Sequence, residues 1–160
     1  MHSSHSLVLA AVFALAAPVV AQHGPPADLT TLSRGAERVV VATVVRVNPV
    51  FQTNEFGDQL IVSRTHLQID TVLKGGREAG EESVVLELEG GTIGDLTLDV
   101  SDLPILERGE RAVVFLQRNG RGAIVPHGRG DGILKLDSSD RVKGQSLTLN
   151  AVRQAVERAR

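Results

Sequence analysis

A chain of 160 residues with 42% apolar and 22% charged side chains and a formal net charge of −2 fits one globular domain. That balance excludes a disordered polyelectrolyte and a strongly basic nucleic-acid-binding field. The lack of cysteine excludes disulfides, thiolate metal sites and cysteine nucleophiles, and the lack of Trp and Tyr beside four Phe removes most stacking platforms for bases or sugars.

The apolar run LVLAAVFALAA at residues 7–17 is too short to cross a bilayer but has the length of a signal-peptide core. Val19, Val20 and Ala21 then place small or modest side chains before a cleavage site. The reading predicts a signal peptide over residues 1–21, cut after Ala21, and a secreted or periplasmic protein that begins at Gln22. Its amino-terminal region is atypical, with His2, His5 and the terminal amine as its sole cationic groups. No later apolar run approaches the length of a membrane span, so none is expected after cleavage. Residues 22–27 (QHGPPA) read as a linker.

Asp28 is placed to cap a short helix carrying Leu29 and Leu32, with Gly35 as its stop signal. From Arg38 the segment VVVATVVRV is β-branched and apolar on both alternating faces, as in a strand covered on each side or coiling through a barrel; Asn48 and Pro49 are expected to end it. A second long strand is predicted over residues 60–73, with Leu67, Ile69 and Leu73 inward and Arg64, His66, Gln68 and Asp70 outward. Val84, Leu86 and Leu88 repeat the period over residues 83–89, and Leu96, Leu98 and Val100 do so more briefly. Residues 112–116 (AVVFL) form an apolar strand that Asn119 and Gly120 would turn into a hairpin with residues 123–125. A glycine-rich link at residues 128–132 feeds a last strand at residues 133–136. Leu149, Val152, Val156 and Ala159, behind Thr148, then switch to helical spacing.

Short and long antiparallel strands with few helices predict a mainly β domain over residues 28–146 and a C-terminal amphipathic helix over residues 147–160. A small OB-like barrel is favoured over a β-sandwich, because coiling strands around a closed sheet requires length.

The order VVVATVVRV, DTVLKGG at residues 70–76, VVLELEGG at 84–91, LPILERGERAVVFL at 103–116 and HGRGDGILKL at 127–136 resembles a group of secreted bacterial domains of unknown function. Their fold is similar to the OB-type barrel of netrin-like domains and tissue inhibitors of metalloproteinases. The resemblance spans residues 28–136 and rests on strands and turns. It implies protease inhibition by fold analogy alone: those inhibitors chelate the target zinc through an N-terminal cysteine, and this chain has none.

Candidate chemistry is sparse. His23 lies in the linker, His66 on the polar strand face and His127 near the glycine-rich link, none at metal-ligand spacing. His66 and Asp70 stand about 13 Å apart along a strand, too far for a dyad. Glu87 and Glu89 share a face at a separation of about 7 Å, near that of glycosidase carboxylates, yet they sit where an amphipathic strand puts its wet side. Asp95, Asp99 and Asp102 surround a bend without matching a calcium loop. Arg129, Gly130 and Asp131 spell an integrin-type tripeptide in a segment whose glycines have an evident turning function. Gly128, Gly130 and Gly132 lack the lysine and helix of a phosphate cradle. No G-x-S-x-G or S-x-x-K motif occurs.

Charge is uneven along the chain: residues 22–76 carry five acids and five bases, 77–110 ten acids and two bases, and 111–160 four acids and ten bases. The blocks therefore either neutralise each other across strands or form opposite poles. The sequence thus predicts an exported, non-catalytic binding or structural module without catalytic, cofactor or metal residues. Its expected partner is another envelope or extracellular protein and not nucleic acid, and its working surface the barrel face with the loops at 51–58 and 128–132. The alternative is a protease inhibitor acting through an exposed loop.

Overall fold

The structure is a computed structural model and describes residues 28–54, 56–76 and 82–160. The expected leader and linker, residues 1–27, lie outside the described residues. Asp28 accepts a hydrogen bond from the Thr30 amide at 3.0 Å and caps helix α1 (Leu29–Gly35). There follow β1 (Arg38–Thr53), β2 (Gln59–Lys74), β3 (Ser83–Glu89), β4 (Gly91–Ile93), β5 (Leu96–Leu98), β6 (Arg111–Arg118), β7 (Ile124–Pro126), a 3-10 turn at Arg129–Gly132, β8 (Ile133–Leu136) and α2 (Leu149–Arg158).

The sheet closes on itself in the order β1, β2, β3, β7, β6 and back to β1. All pairings in this circuit are antiparallel except β3 with β7, which join through one parallel pair, Leu86 with Ile124. β8 takes the part of the β6 edge that β7 leaves free. Five strands in this circuit, with the β4–β5 ribbon inserted between the third and fourth, make a small OB-like barrel, and closure distinguishes it from a sandwich.

Two cores explain the double-sided apolarity of β1 and β6. Val40, Ala42, Val44, Ala112, Val114 and Leu116 point into the barrel, where they meet Leu67, Leu86 and Leu88. Val39, Val41, Val113 and Phe115 point the other way, under Leu32 of α1 and Val152 and Val156 of α2. The helices therefore cover a face that would otherwise be an apolar patch in water. Lys74 ties α1 down: its Nζ donates to the Ser33, Arg34 and Ala36 carbonyls at 2.5, 3.2 and 2.7 Å, satisfying acceptors that a helix end leaves orphaned. Thr148 caps α2 by accepting from the Ala151 amide at 3.3 Å.

Several local expectations are corrected. β1 runs through Asn48 and Pro49 to Thr53, because its pairing with β6 stops at Thr43 and the remainder has β2 as its sole strand partner. An edge tolerates a residue that lacks an amide donor. Gly35 is the last helical residue and no left-handed stop; a Cβ there would lie 2.2 Å from His127 Nε2, so its bare α-carbon makes room for the imidazole. The β6–β7 turn bends at Gly122 (φ +80) and not at Gly120, with Asn119 Oδ1 accepting from the Arg121 and Ala123 amides. Leu73 faces the helices and not the barrel, because the register skips Asp70 and switches the phase of the residues beyond it.

Phe115 is fully buried in the core under the helices, whereas Phe56 is 82% exposed at the β1–β2 turn. Phe115→Ala is expected to cost about 3–5 kcal/mol in urea unfolding, and Phe56→Ala to stay within about 0.5 kcal/mol.

Candidate functional site

Beyond Thr43 β1 leaves β6, and the paired β1 and β2 continue as an arm that β3 flanks as far as Val62 and that is two-stranded only at its tip, residues 51–53 with 59–61. An extra residue at Val45 breaks the alternation there, so Val47 and Pro49 come to face the same side as their β2 partners Thr65 and Ser63. After β3 the chain doubles back across this face: the Gly90 amide donates to the Ile61 carbonyl at 2.8 Å, and Ser63 Oγ donates to the Gly90 carbonyl at 2.7 Å. Gly91 has φ +134, and a Cβ on it would sit 2.6 Å from Ser63 Oγ, so only glycine permits so close a crossing. The β4–β5 ribbon then stands over the arm, and the following loop returns to bury Leu106 in the barrel interior.

Between ribbon, arm and loop lies a cleft of about 250 Å³. Its walls are mainly apolar, with Val47, Pro49, Leu88, Leu98, Val100 and Leu106 prominent, and Glu89, Asp99 and Thr97 supply polar groups. Ile105 stands 70% exposed among the lining residues. Thr65 belongs to the lining, is wholly buried, and its Oγ1 has no hydrogen-bond partner among the described residues. A buried hydroxyl without a partner is an uncompensated cost in the unliganded protein.

Arg129 straps the loop in place. Its guanidinium donates to both Asp102 oxygens and lies 3.4 Å from Glu89, and a Cβ on neighbouring Gly130 would collide with the Asp102 carbonyl. The hydrogen bond from Arg129 holds Asp102 below the ordinary carboxylate range against the opposing effect of partial desolvation, and the same pairing raises the arginine. Arg129 of the integrin-type tripeptide thus has Asp102 as its partner, and Asp95, Asp99 and Asp102 do not converge as a group among the described residues. Of the loops expected to form a working surface, 128–132 is a buttress for the cleft; of 51–58, residues 51–53 are the end of β1 and residues 54 and 56–58 lie in its turn to β2, with Phe51 and Phe56 exposed.

The remaining candidates are separated. Glu87 pairs with Arg64 at 3.2 Å and Glu89 with Arg129, so the two carboxylates serve different partners. His66 Nε2 accepts from Arg46 at 2.9 Å, since a guanidinium can only donate. His127 Nδ1 donates to Gln117 Oε1 at 2.7 Å by the converse reasoning. His23 lies outside the described residues. Among the described residues no group of three His, Asp or Glu side chains converges, and no helix is long and apolar enough to cross a membrane.

Among the described residues the acidic and basic blocks meet at two places. One is Glu89 and Asp102 with Arg129; the other is Glu110, which contacts Lys135 at 2.8 Å and Lys143 at 3.2 Å. Burial pushes the Glu110 carboxyl up, but hydrogen bonds from Lys135, the Glu107 amide and Lys143 outweigh it and leave the group below its ordinary value.

Sequence reasoning overlooked Thr65, although it shares the inward phase of Leu67 and Ile69 and is the fully buried polar side chain of that face. No known family matches the chain, and comparison with curated proteins finds no similar sequence.

Thr65→Val keeps the shape and removes the orphaned hydroxyl, so it is expected to raise stability by about 1–3 kcal/mol in chemical denaturation. A carboxylate lowered on folding contributes stability above its unfolded pKa and loses it as pH falls through the folded value. Glu110→Gln should therefore cost about 1–2 kcal/mol at pH 7, a difference that shrinks below about pH 4.5 when urea midpoints are compared from pH 7 to 3.

Proposed function

We propose that the chain is an exported, non-catalytic binding module, secreted or periplasmic after cleavage behind Ala21, which receives an apolar group of another envelope or extracellular protein in the cleft at the base of the arm. The observation that carries this reading is the cleft itself: a preformed, mostly apolar hollow with an unpartnered hydroxyl among its lining residues. Three of the carboxylates near it are engaged in holding it together, Glu89 and Asp102 by Arg129 and Glu87 by Arg64, while Asp99 of the lining has no ion-pair partner among the described residues. These three serve as fasteners in this reading. The barrel supplies a rigid seat, as OB-type barrels do for ligands of many kinds.

The test uses N-phenyl-1-naphthylamine, a neutral apolar fluorophore, with protein purified from an exporting host. Saturable fluorescence enhancement is expected, weakened about tenfold or more by Thr97→Trp, which puts an indole on a cleft-lining ribbon residue. Absence of enhancement, or indifference to Thr97→Trp, overturns the cleft reading. Amino-terminal sequencing of the same sample is expected to begin at Gln22, and a retained Met1 overturns the export reading.

The alternative, inhibition of a protease through an exposed loop, has one specific observation in its favour, the exposed Ile105 beside Pro104. Titration against zinc metalloproteases at micromolar concentration tests it, and absence of inhibition counts against it.

A further inference from the structure

The residues that build three sides of the cleft are electrostatically one-sided. From Glu82 to Glu107 the chain carries seven carboxylates and neither Lys nor Arg. That stretch comprises β3, the β4–β5 ribbon and most of the loop that returns to the barrel. Arg64 and Arg129, from other parts of the chain, engage Glu87, Glu89 and Asp102. Asp95, at the ribbon turn, and Asp99, in the cleft lining, have no ion-pair partner among the described residues. An apolar hollow edged by uncompensated carboxylates favours a ligand that combines an apolar anchor with positive charge.

Two independent observations indicate an extended peptide as the carrier of that charge. β5, whose Thr97 and Leu98 line the cleft, pairs among the described residues with β4 alone, so its outer edge offers main-chain groups beside the hollow. An added strand uses such an edge, its side chains alternating between pocket and solvent. Thr65, buried among the same lining residues with its hydroxyl unpartnered, offers a hydrogen bond to a group that reaches it. A cleft of about 250 Å³ suits one large aliphatic or aromatic side chain better than a whole amphiphile.

We propose that the cleft recognises an extended segment of a partner protein in which an apolar anchor residue is flanked by Lys or Arg, the anchor entering the hollow and the cations facing Asp99 and Asp95. The proposal rests on the cleft reading above and adds the chemical class of what enters it.

Fluorescein-labelled heptapeptides with a central Leu and flanks of Lys, Gln or Glu, followed by anisotropy with protein from the exporting host, test it. Affinity is expected to fall in the order Lys, Gln, Glu, and the Lys preference to shrink when salt rises from 50 to 500 mM. Asp99→Asn is expected to reduce the ratio of Lys-flanked to Glu-flanked affinity about fivefold, the effect of one charge near a protein surface. Glu157→Gln, on the distant α2, serves as a charge-matched control and should leave that ratio unchanged. Equal affinity for all three flanks, or a ratio that Asp99→Asn leaves intact, overturns the inference, and continued binding of the neutral fluorophore would then show that the cleft reading itself survives. Displacement of the Lys-flanked peptide by hexylamine at equal concentration overturns the peptide assignment, because the free edge of β5 would be contributing nothing.

Discussion

β1 and β6 must serve two cores at once. One set of their side chains fills the barrel and the other lies under α1 and α2. Neither strand has a wet face along its paired length, and so Val, Ala and Phe crowd residues 39–44 and 112–116 to the exclusion of charge. Burial on both sides makes this pair the rigid reference for everything else. The helices are positioned by the outer set, the barrel closes around the inner set, and the arm begins where pairing with β6 stops after Thr43.

The cleft exists because that constraint ends abruptly. Once β1 has a free edge, a bulge at Val45 and a proline at position 49 become tolerable, and both shape the hollow. The chain then uses glycine at 91 to cross close to β2 and an arginine at 129 to hold the far loop. Thr65 runs against this pattern of local consistency, since a hydroxyl in an apolar lining stabilises nothing it touches. Conflicts of this kind concentrate at binding sites, where stability is surrendered to recognition.

Much of the fold was legible from residue periodicity. Residues 83–89 and 133–136 were assigned their observed limits, Asp28 and Thr148 act as helix caps, and the double apolarity of VVVATVV correctly signalled cover on both faces. Misreadings arose where neighbours in space override local rules. Pro49 looks like a stop unless one knows that the strand is there an edge, and Gly35 looks like a helix terminator unless one knows that His127 packs over it. Phase changes at Val45 and Asp70 are invisible to any scheme of strict alternation. The site was harder still, because its walls come from residues 47, 65, 88, 98 and 106, and their meeting depends on a ribbon and loop with little periodic signal. Ser63 and Thr65 left a trace, polar side chains in an otherwise apolar phase.

The circuit of strands is joined at one place by a single residue pair, Leu86 with Ile124. Every other joint is a ladder of several residues. A ring fastened so unevenly has a seam. Bringing those two residues together closes a loop that includes the ribbon, the cleft loop and β6, so the seam forms after its flanking hairpins and parts before them. Leu88, two residues along β3, lines the hollow, so an occupant of the proposed site that gripped β3 would also hold the ring shut.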